Sequence, residues 1–278
     1  MLPNLSLRLP ATITTLGAGL LLATSCASSP GAENTVTVAA ASDPHAEILQ
    51  HAEDTGLLGN TELDIHILST APEANLAVSN GSADINYIQH TPYFEDWVAE
   101  NPVDNLVNLG DIHIEPMSAY SRQITSLEDL SENAQVLLPK SGSNFARGLL
   151  LLERAGVIAL DPSLPRGALS KITLADVTEN PKNLRLSDVD DDIVPHALDD
   201  PDVSVALMST AFALQAGLVD LAIETESPDN NPYGNIVVAS TDSAEDPKTR
   251  KVVDALQSPE MAEWIRQEYA GLVLPTHE

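Results

Sequence analysis

Arg147 stands near the start of an apolar helical run, three residues after Asn144 and four after Ser143, in Lys140-Ser-Gly-Ser-Asn-Phe-Ala-Arg-Gly-Leu-Leu-Leu-Leu152. The short apolar run Val136 to Leu138 stops at Pro139, so the local pattern is strand, loop, helix. Ser143 reads as the N-cap. That places Asn144 to Arg147 in the first turn, where free N–H groups and the helix dipole create positive potential. A guanidinium is unfavourable there by roughly a few tenths of a kcal/mol. Two positive features aimed at one place make sense around an anion, and a planar guanidinium matches a carboxylate through two parallel hydrogen bonds. The competing reading pairs Arg147 with one of the protein's own acidic side chains.

Other chemistry is not signalled. The seven histidines, His45, His51, His66, His90, His113, His196 and His277, form no His-x-x-x-His or Cys/His pair, which leaves only a metal site assembled from distant positions. There is no Gly-x-Ser-x-Gly elbow, no Gly-x-x-x-x-Gly-Lys-Ser/Thr loop and no Gly-x-Gly-x-x-Gly after a strand, so neither catalysis nor a cofactor is expected. The acidic run Asp188 to Asp192 lacks the spacing of a calcium loop and reads as a solvated turn. With 13 Lys+Arg against 41 Asp+Glu in 278 residues, the surface repels phosphate backbones and anionic headgroups, which sets nucleic acid aside.

The elements that must hold Arg147 follow an alternating order. Val36 to Ala40, Leu63 to Ile67 and Asp84 to Ile88 read as strands, separated by helices opened at Asp43-Pro44 and at Glu73. Pro92 starts a helix through Trp97, and Asn105 to Leu109 and Ile112 to Ser121 are further strands. Beyond the Arg147 helix, Leu174 to Val177, Leu184 to Val189 and Val203 to Met208 read as strands. Helices follow at Ile193 to Leu198 and Thr210 to Ala216. A strand at Asn235 to Ala239 and two amphipathic helices, from Pro247 and from Pro259, close the chain. Alternation at this spacing predicts an α/β fold with a largely parallel sheet.

Residues 1–26 read as an export signal: Arg8 is the sole charge before the apolar stretch Ala11 to Ala23, which is too short to span a bilayer. Cys26, the one cysteine, follows Leu21-Leu22-Ala23-Thr24-Ser25 and resembles the acylated first residue of a bacterial lipoprotein. Multiple acyl chains, palmitate among them, would anchor the protein firmly, with residues 27–34 as a tether.

Asp84-Ile-Asn-Tyr-Ile-Gln-His-Thr-Pro-Tyr93, the Arg147 stretch, Glu179-Asn-Pro-Lys-Asn-Leu184 and Pro232-Tyr-Gly-Asn235 together resemble the NlpA/MetQ family of substrate-binding lipoproteins. The likeness runs from Val36 to the closing helices. It implies a periplasmic-binding-protein type II clamshell, two α/β lobes joined by a hinge, with residues 35–113 plus 233–278 in one lobe and 114–232 in the other. It also implies an extracytoplasmic, lipid-anchored protein that captures methionine or a derivative for an ABC permease and its ATPase, and that is not an enzyme.

By position, Arg147 matches the family's carboxylate-gripping arginine and Asn144 its neighbour. Asn235 matches the asparagine that meets the amino-acid moiety, and His90 and Tyr93 match the pocket wall. Three positions depart: Ile88 replaces a phenylalanine, Ala71 lies roughly at a pocket tyrosine, and Ser209 stands where an asparagine contacts the ligand. Fewer rings mean fewer faces for a thioether sulfur, a contact of about 0.3–1.5 kcal/mol each. Another amino acid or a short peptide is therefore the alternative, and an adhesive or signalling surface lipoprotein the rival from a different class. On this reading Arg147→Ala abolishes binding and leaves the melting temperature nearly unchanged.

Overall fold

The structure, a computed structural model, describes residues 34–164 and 171–278. The expected signal, Cys26 and all but the last residue of the tether lie outside the described residues.

The chain begins with β1 (Thr35–Ala40), α1 (His45–Asp54), β2 (Glu62–Ile67), α2 (Ala71–Ser79), β3 (Ile85–His90), α3 (Thr91–Glu100) and β4 (Leu106–Ile114). It crosses over at Glu115-Pro116 into β5 (Met117–Tyr120), β6 (Gln135–Pro139), α4 (Gly142–Arg154), β7 (Ala159–Leu160), β8 (Val177–Glu179) and β9 (Arg185–Val189). Then come α5 (Val194–Ala197), β10 (Val203–Ser209), α6 (Thr210–Ala216) and β11 (Ala222–Thr225). A second crossover returns it to β12 (Gly234–Ser240), α7 (Pro247–Leu256), α8 (Pro259–Tyr269) and β13 (Leu274–Pro275).

Two main sheets result, ordered β13-β4-β12-β3-β1-β2 and β11-β5-β10-β6-β9. Each has its own core. In the first, Val36, Val38 and Ala40 of β1 pack on Ile48 and Leu49 of α1 and on Val252 and Leu256 of α7. In the second, Val136 and Leu138 of β6 meet Leu149 and Leu152 of α4 and Val205 and Leu207 of β10. These are strands covered by helices, as apolar runs without polar alternation require. Among the described residues no helix is long and apolar enough to cross a membrane.

Three expectations are corrected. Both sheets are mixed rather than largely parallel. β1 pairs in parallel with β2 and β3, but β12 is inserted antiparallel between β3 and β4. In the second sheet β6 runs parallel to β9 and β10, while β5 is antiparallel to β10 and β11. Next, the expected pair of strands around Gly110 is one strand, β4. Gly110, at φ +117°, absorbs a register shift against β12, and the real break falls at Glu115-Pro116, where the chain changes sheets. Lastly, Leu174 to Asp176 form a single 3-10 turn, with β8 starting only at Val177.

Candidate functional site

The two crossovers and the carboxyl end of β3 meet at a cleft between the sheets, a cavity of about 810 Å³. Six expected residues line it: Ile88, His90, Tyr93, Asn144, Ser209 and Asn235. Arg147 is not in that lining. It lies beside the cleft, 2% exposed, and sits in the second turn of α4 rather than the first.

The reason is a cap read at the wrong serine. Ser141, not Ser143, is the N-cap: its carbonyl accepts the first helical N–H, from Phe145 at 2.7 Å. The acidic turn expected to be merely solvated fixes it there. Asp191 accepts the Ser141 N–H at 3.0 Å and its hydroxyl at 2.6 Å, and the Asn144 Nδ2 at 3.0 Å. Ser143 is a buried helical residue whose hydroxyl has no partner among the described residues. The dipole argument for an anion at Arg147 therefore loses its footing.

Arg147 instead meets an acidic group of its own chain. Nε donates to both oxygens of Glu226, at 3.1 and 3.0 Å, Nη2 also binds Glu226, and Nη2 donates to the Glu115 carbonyl at 2.7 Å. The Tyr233 ring covers the guanidinium 4.1 Å from its centroid. Burial raises the Glu226 pKa, but Arg147 outweighs it and the carboxyl ends below its ordinary value. Nη1 has no partner among the described residues.

The floor of the cleft holds a charge that the sequence reading passed over. Glu115 is 5% exposed and lines the cavity. It accepts from His113 Nε2 at 3.0 Å and from the Ser209 hydroxyl at 3.3 Å, with His45 Nε2 3.6 Å away. Burial opposes its charge, yet His45, His113 and Arg147 more than offset that and lower its pKa to about 2. Next to it, Asn235 Oδ1 accepts from His45 Nε2 at 3.1 Å, which leaves the Asn235 Nδ2 without a partner among the described residues. His45, His113 and Glu115 offer three ligand atoms within 4.8 Å of one another. Both Nε2 atoms donate to oxygen acceptors, so the lone pairs that a metal needs are not presented. The one sequence signal for Glu115 was a lone carboxylate inside the apolar run Ile112 to Ser121.

His90 joins the two sides. Its Nδ1 accepts the Tyr93 N–H at 3.1 Å, capping α3, and its Nε2 bonds Asn144 Oδ1 at 2.8 Å. Burial, aided by the Arg147 charge, lowers its pKa to about 4, and burial does the same to His45. On the far side Gln215 Nε2 donates to the Asp43 carbonyl at 2.8 Å, a second bond across the cleft. Ile88, Ala71 and Phe212 supply apolar wall. The cleft thus offers the buried Glu115 carboxylate beside the Asn235 amide, with Asp190, Asp191 and Asp192 elsewhere in its lining, and an apolar side: groups for a zwitterion with a hydrophobic tail.

Two α/β lobes around a cleft with a charged floor define a solute-binding clamshell. The model of the NlpA lipoprotein family matches residues 36–277, and the chain belongs to that family. It is 35% identical over 266 residues to the methionine-binding lipoprotein MetQ of Bacillus subtilis, covering 94% of this chain and 95% of the relative. A crystal structure of a putative methionine-binding lipoprotein from Bacillus subtilis superposes with a TM-score of 0.83 at 33% identity, covering 89% of this chain and 100% of that one. A nutrient-binding protein from Burkholderia cenocepacia, bound to methionine, gives 0.80 at 30% identity, covering 87% and 99%.

Proposed function

We propose that this chain captures methionine or a close relative between its lobes and presents it to an ABC importer, acting by binding alone. The observation that carries the reading is the ionised Glu115 on the cleft floor beside the free amide of Asn235. Glu115 takes the ligand's ammonium; Asn235 Nδ2 and Arg147 Nη1 take its carboxylate; the side chain lies along Ile88, Ala71 and Phe212. Asn144, His90 and Tyr93 hold the wall, and Ser209 acts through Glu115. The lobes divide at residues 113 and 233, so the crossovers are the hinge. The relatives' naming as lipoproteins supports an anchor at Cys26 that keeps the protein on the extracytoplasmic face, next to its permease and ATPase.

A second reading rests on size. A cavity of about 810 Å³ lies toward the upper end of the range of small-ligand pockets, so a longer amino acid or a short peptide also fits. Titration calorimetry with methionine and with its desamino analogue, 4-(methylthio)butanoate, tests the assignment. Methionine binds, the analogue binds at least about tenfold more weakly, and Glu115→Gln removes the difference, as loss of a hydrogen-bonded charge pair requires. Equal affinities for the two compounds sink the role of Glu115, and absence of methionine binding sinks the ligand.

A further inference from the structure

Glu115 is backed by a chain of buried groups that reaches away from the cleft. His113, 0% exposed, donates Nε2–H to Glu115 at 3.0 Å, and its Nδ1 bonds the hydroxyl of Tyr87, also 0% exposed. The tautomer follows from the partners: an ionised carboxylate can only accept, so the proton is on Nε2 and Nδ1 accepts from Tyr87. Neither His113 nor Tyr87 lines the cavity; they reach it only through Glu115 and His45, which do. A fully buried imidazole held by hydrogen bonds at both nitrogens has its desolvation offset and its ring orientation fixed.

From this geometry we infer that His113, oriented by Tyr87, is a positioning residue that holds Glu115 in place and in its charged form to receive the ligand's ammonium. The inference rests on the ammonium assignment made above. Other groups face Glu115 from every side. They are His45 of α1, Arg147 of α4 and the hydroxyl of Ser209, with His90 and Glu226 further out and Tyr269 behind Tyr87. Of these, Arg147 spends its bonds on Glu226 and on the Glu115 carbonyl, and His45 shares its Nε2 with Asn235. His113 alone directs its N–H at the Glu115 carboxylate within 3.0 Å among the described residues. Against burial, the charge of His45 and then the hydrogen bond and charge of His113 lower the Glu115 pKa to about 2, so the donor acts beside His45 and not alone.

The test has two arms. In the ligand-free protein, ¹³C NMR follows the Glu115 carboxyl, identified by its disappearance in Glu115→Gln. His113→Leu moves its midpoint upward by at least about one unit, and His113→Gln, which keeps an N–H near the same place, restores part of the shift. In titration calorimetry His113→Leu weakens methionine by about tenfold or more while leaving 4-(methylthio)butanoate within about twofold. Tyr87→Phe, which removes one hydroxyl and keeps the ring, acts in the same direction by about threefold and tests the idea if His113→Leu fails to fold. An unmoved Glu115 midpoint, or equal loss for both compounds, overturns the proposal, because a purely structural histidine does that. If the midpoint moves but wild-type protein binds both compounds equally, the positioning of Glu115 stands and the ammonium assignment falls.

Discussion

Arg147 keeps two of its three nitrogens on Glu226, and that decides what its removal does. Arg147→Ala leaves Glu226, whose side chain is 10% exposed, with only the Met117 N–H and the Asn231 amide as donors among the described residues. A buried ion pair broken on one side costs about 3–5 kcal/mol, whereas replacing both partners with neutral groups of similar volume is often close to neutral. We expect urea denaturation to show Arg147→Ala destabilised by that order, and Arg147→Met/Glu226→Gln to recover most of it. A single variant within about 1 kcal/mol of wild type would show that the pair contributes little. The sequence-based expectation of an unchanged melting temperature is therefore replaced. The presence of an arginine at this helix was legible, and so was the possibility of a partner within the chain; that the partner is Glu226, 79 residues away, was not. Glu115 was legible only as an oddity, a carboxylate in an apolar run.

At the level of elements, strands and helices were readable where a local device fixes them. Asp246 caps α7 through the Lys248 N–H at 2.8 Å, Ser258 caps α8, and Gly217 ends α6 at φ +67°. What local pattern could not give was pairing: β12 enters the first sheet antiparallel after a detour of more than a hundred residues, and a partner at Asp191 chooses the cap of α4. The entry of β12 is tight. A Cβ on Gly234 would meet Asp111 Cγ at 2.6 Å and Cβ at 2.9 Å, so a methyl there must push β4 or the Asp111 side chain. Gly234 separates Tyr233, which covers Arg147, from Asn235. Gly234→Ala should therefore cost about 1–3 kcal/mol by overpacking and weaken ligand binding as well. Thermal melting together with calorimetry checks this, and a variant matching wild type in both would mean that the strand yields without strain.

For the whole molecule, the fold class and the cleft followed from alternation and resemblance, but the polar contacts that close the lobes did not. Two of them, His90 with Asn144 and Gln215 with Asp43, cross the cleft. They give the molecule a direction of pH response. His90 and His45 have folded pKa values of about 4 against 6.5 for the free side chain, both lowered first by burial. The unfolded chain therefore takes up protons first as pH falls. Their contribution to stability is complete above 6.5 and is lost between 6.5 and 4, on the order of 2 kcal/mol for each by pH 5. Protonation also has a structural cost: His90 Nδ1 would lose the Tyr93 N–H it accepts. Glu115 has the other depressed case, with stability complete above 4.5 and lost as pH falls towards 2, so it adds to the fall only at the acid end. The net charge of −28 works in the opposite sense, since neutralising surface carboxylates relieves repulsion. Moderate salt screens that effect beyond about 8 Å and scarcely touches the buried imidazoles. Urea denaturation at pH 7, 6 and 5 in about 0.15 M salt should show stability falling from near pH 6.5, with the fall roughly halved in a variant that replaces His90 by Asn. A flat profile from 7 to 5 would mean that neither imidazole is held neutral by the fold.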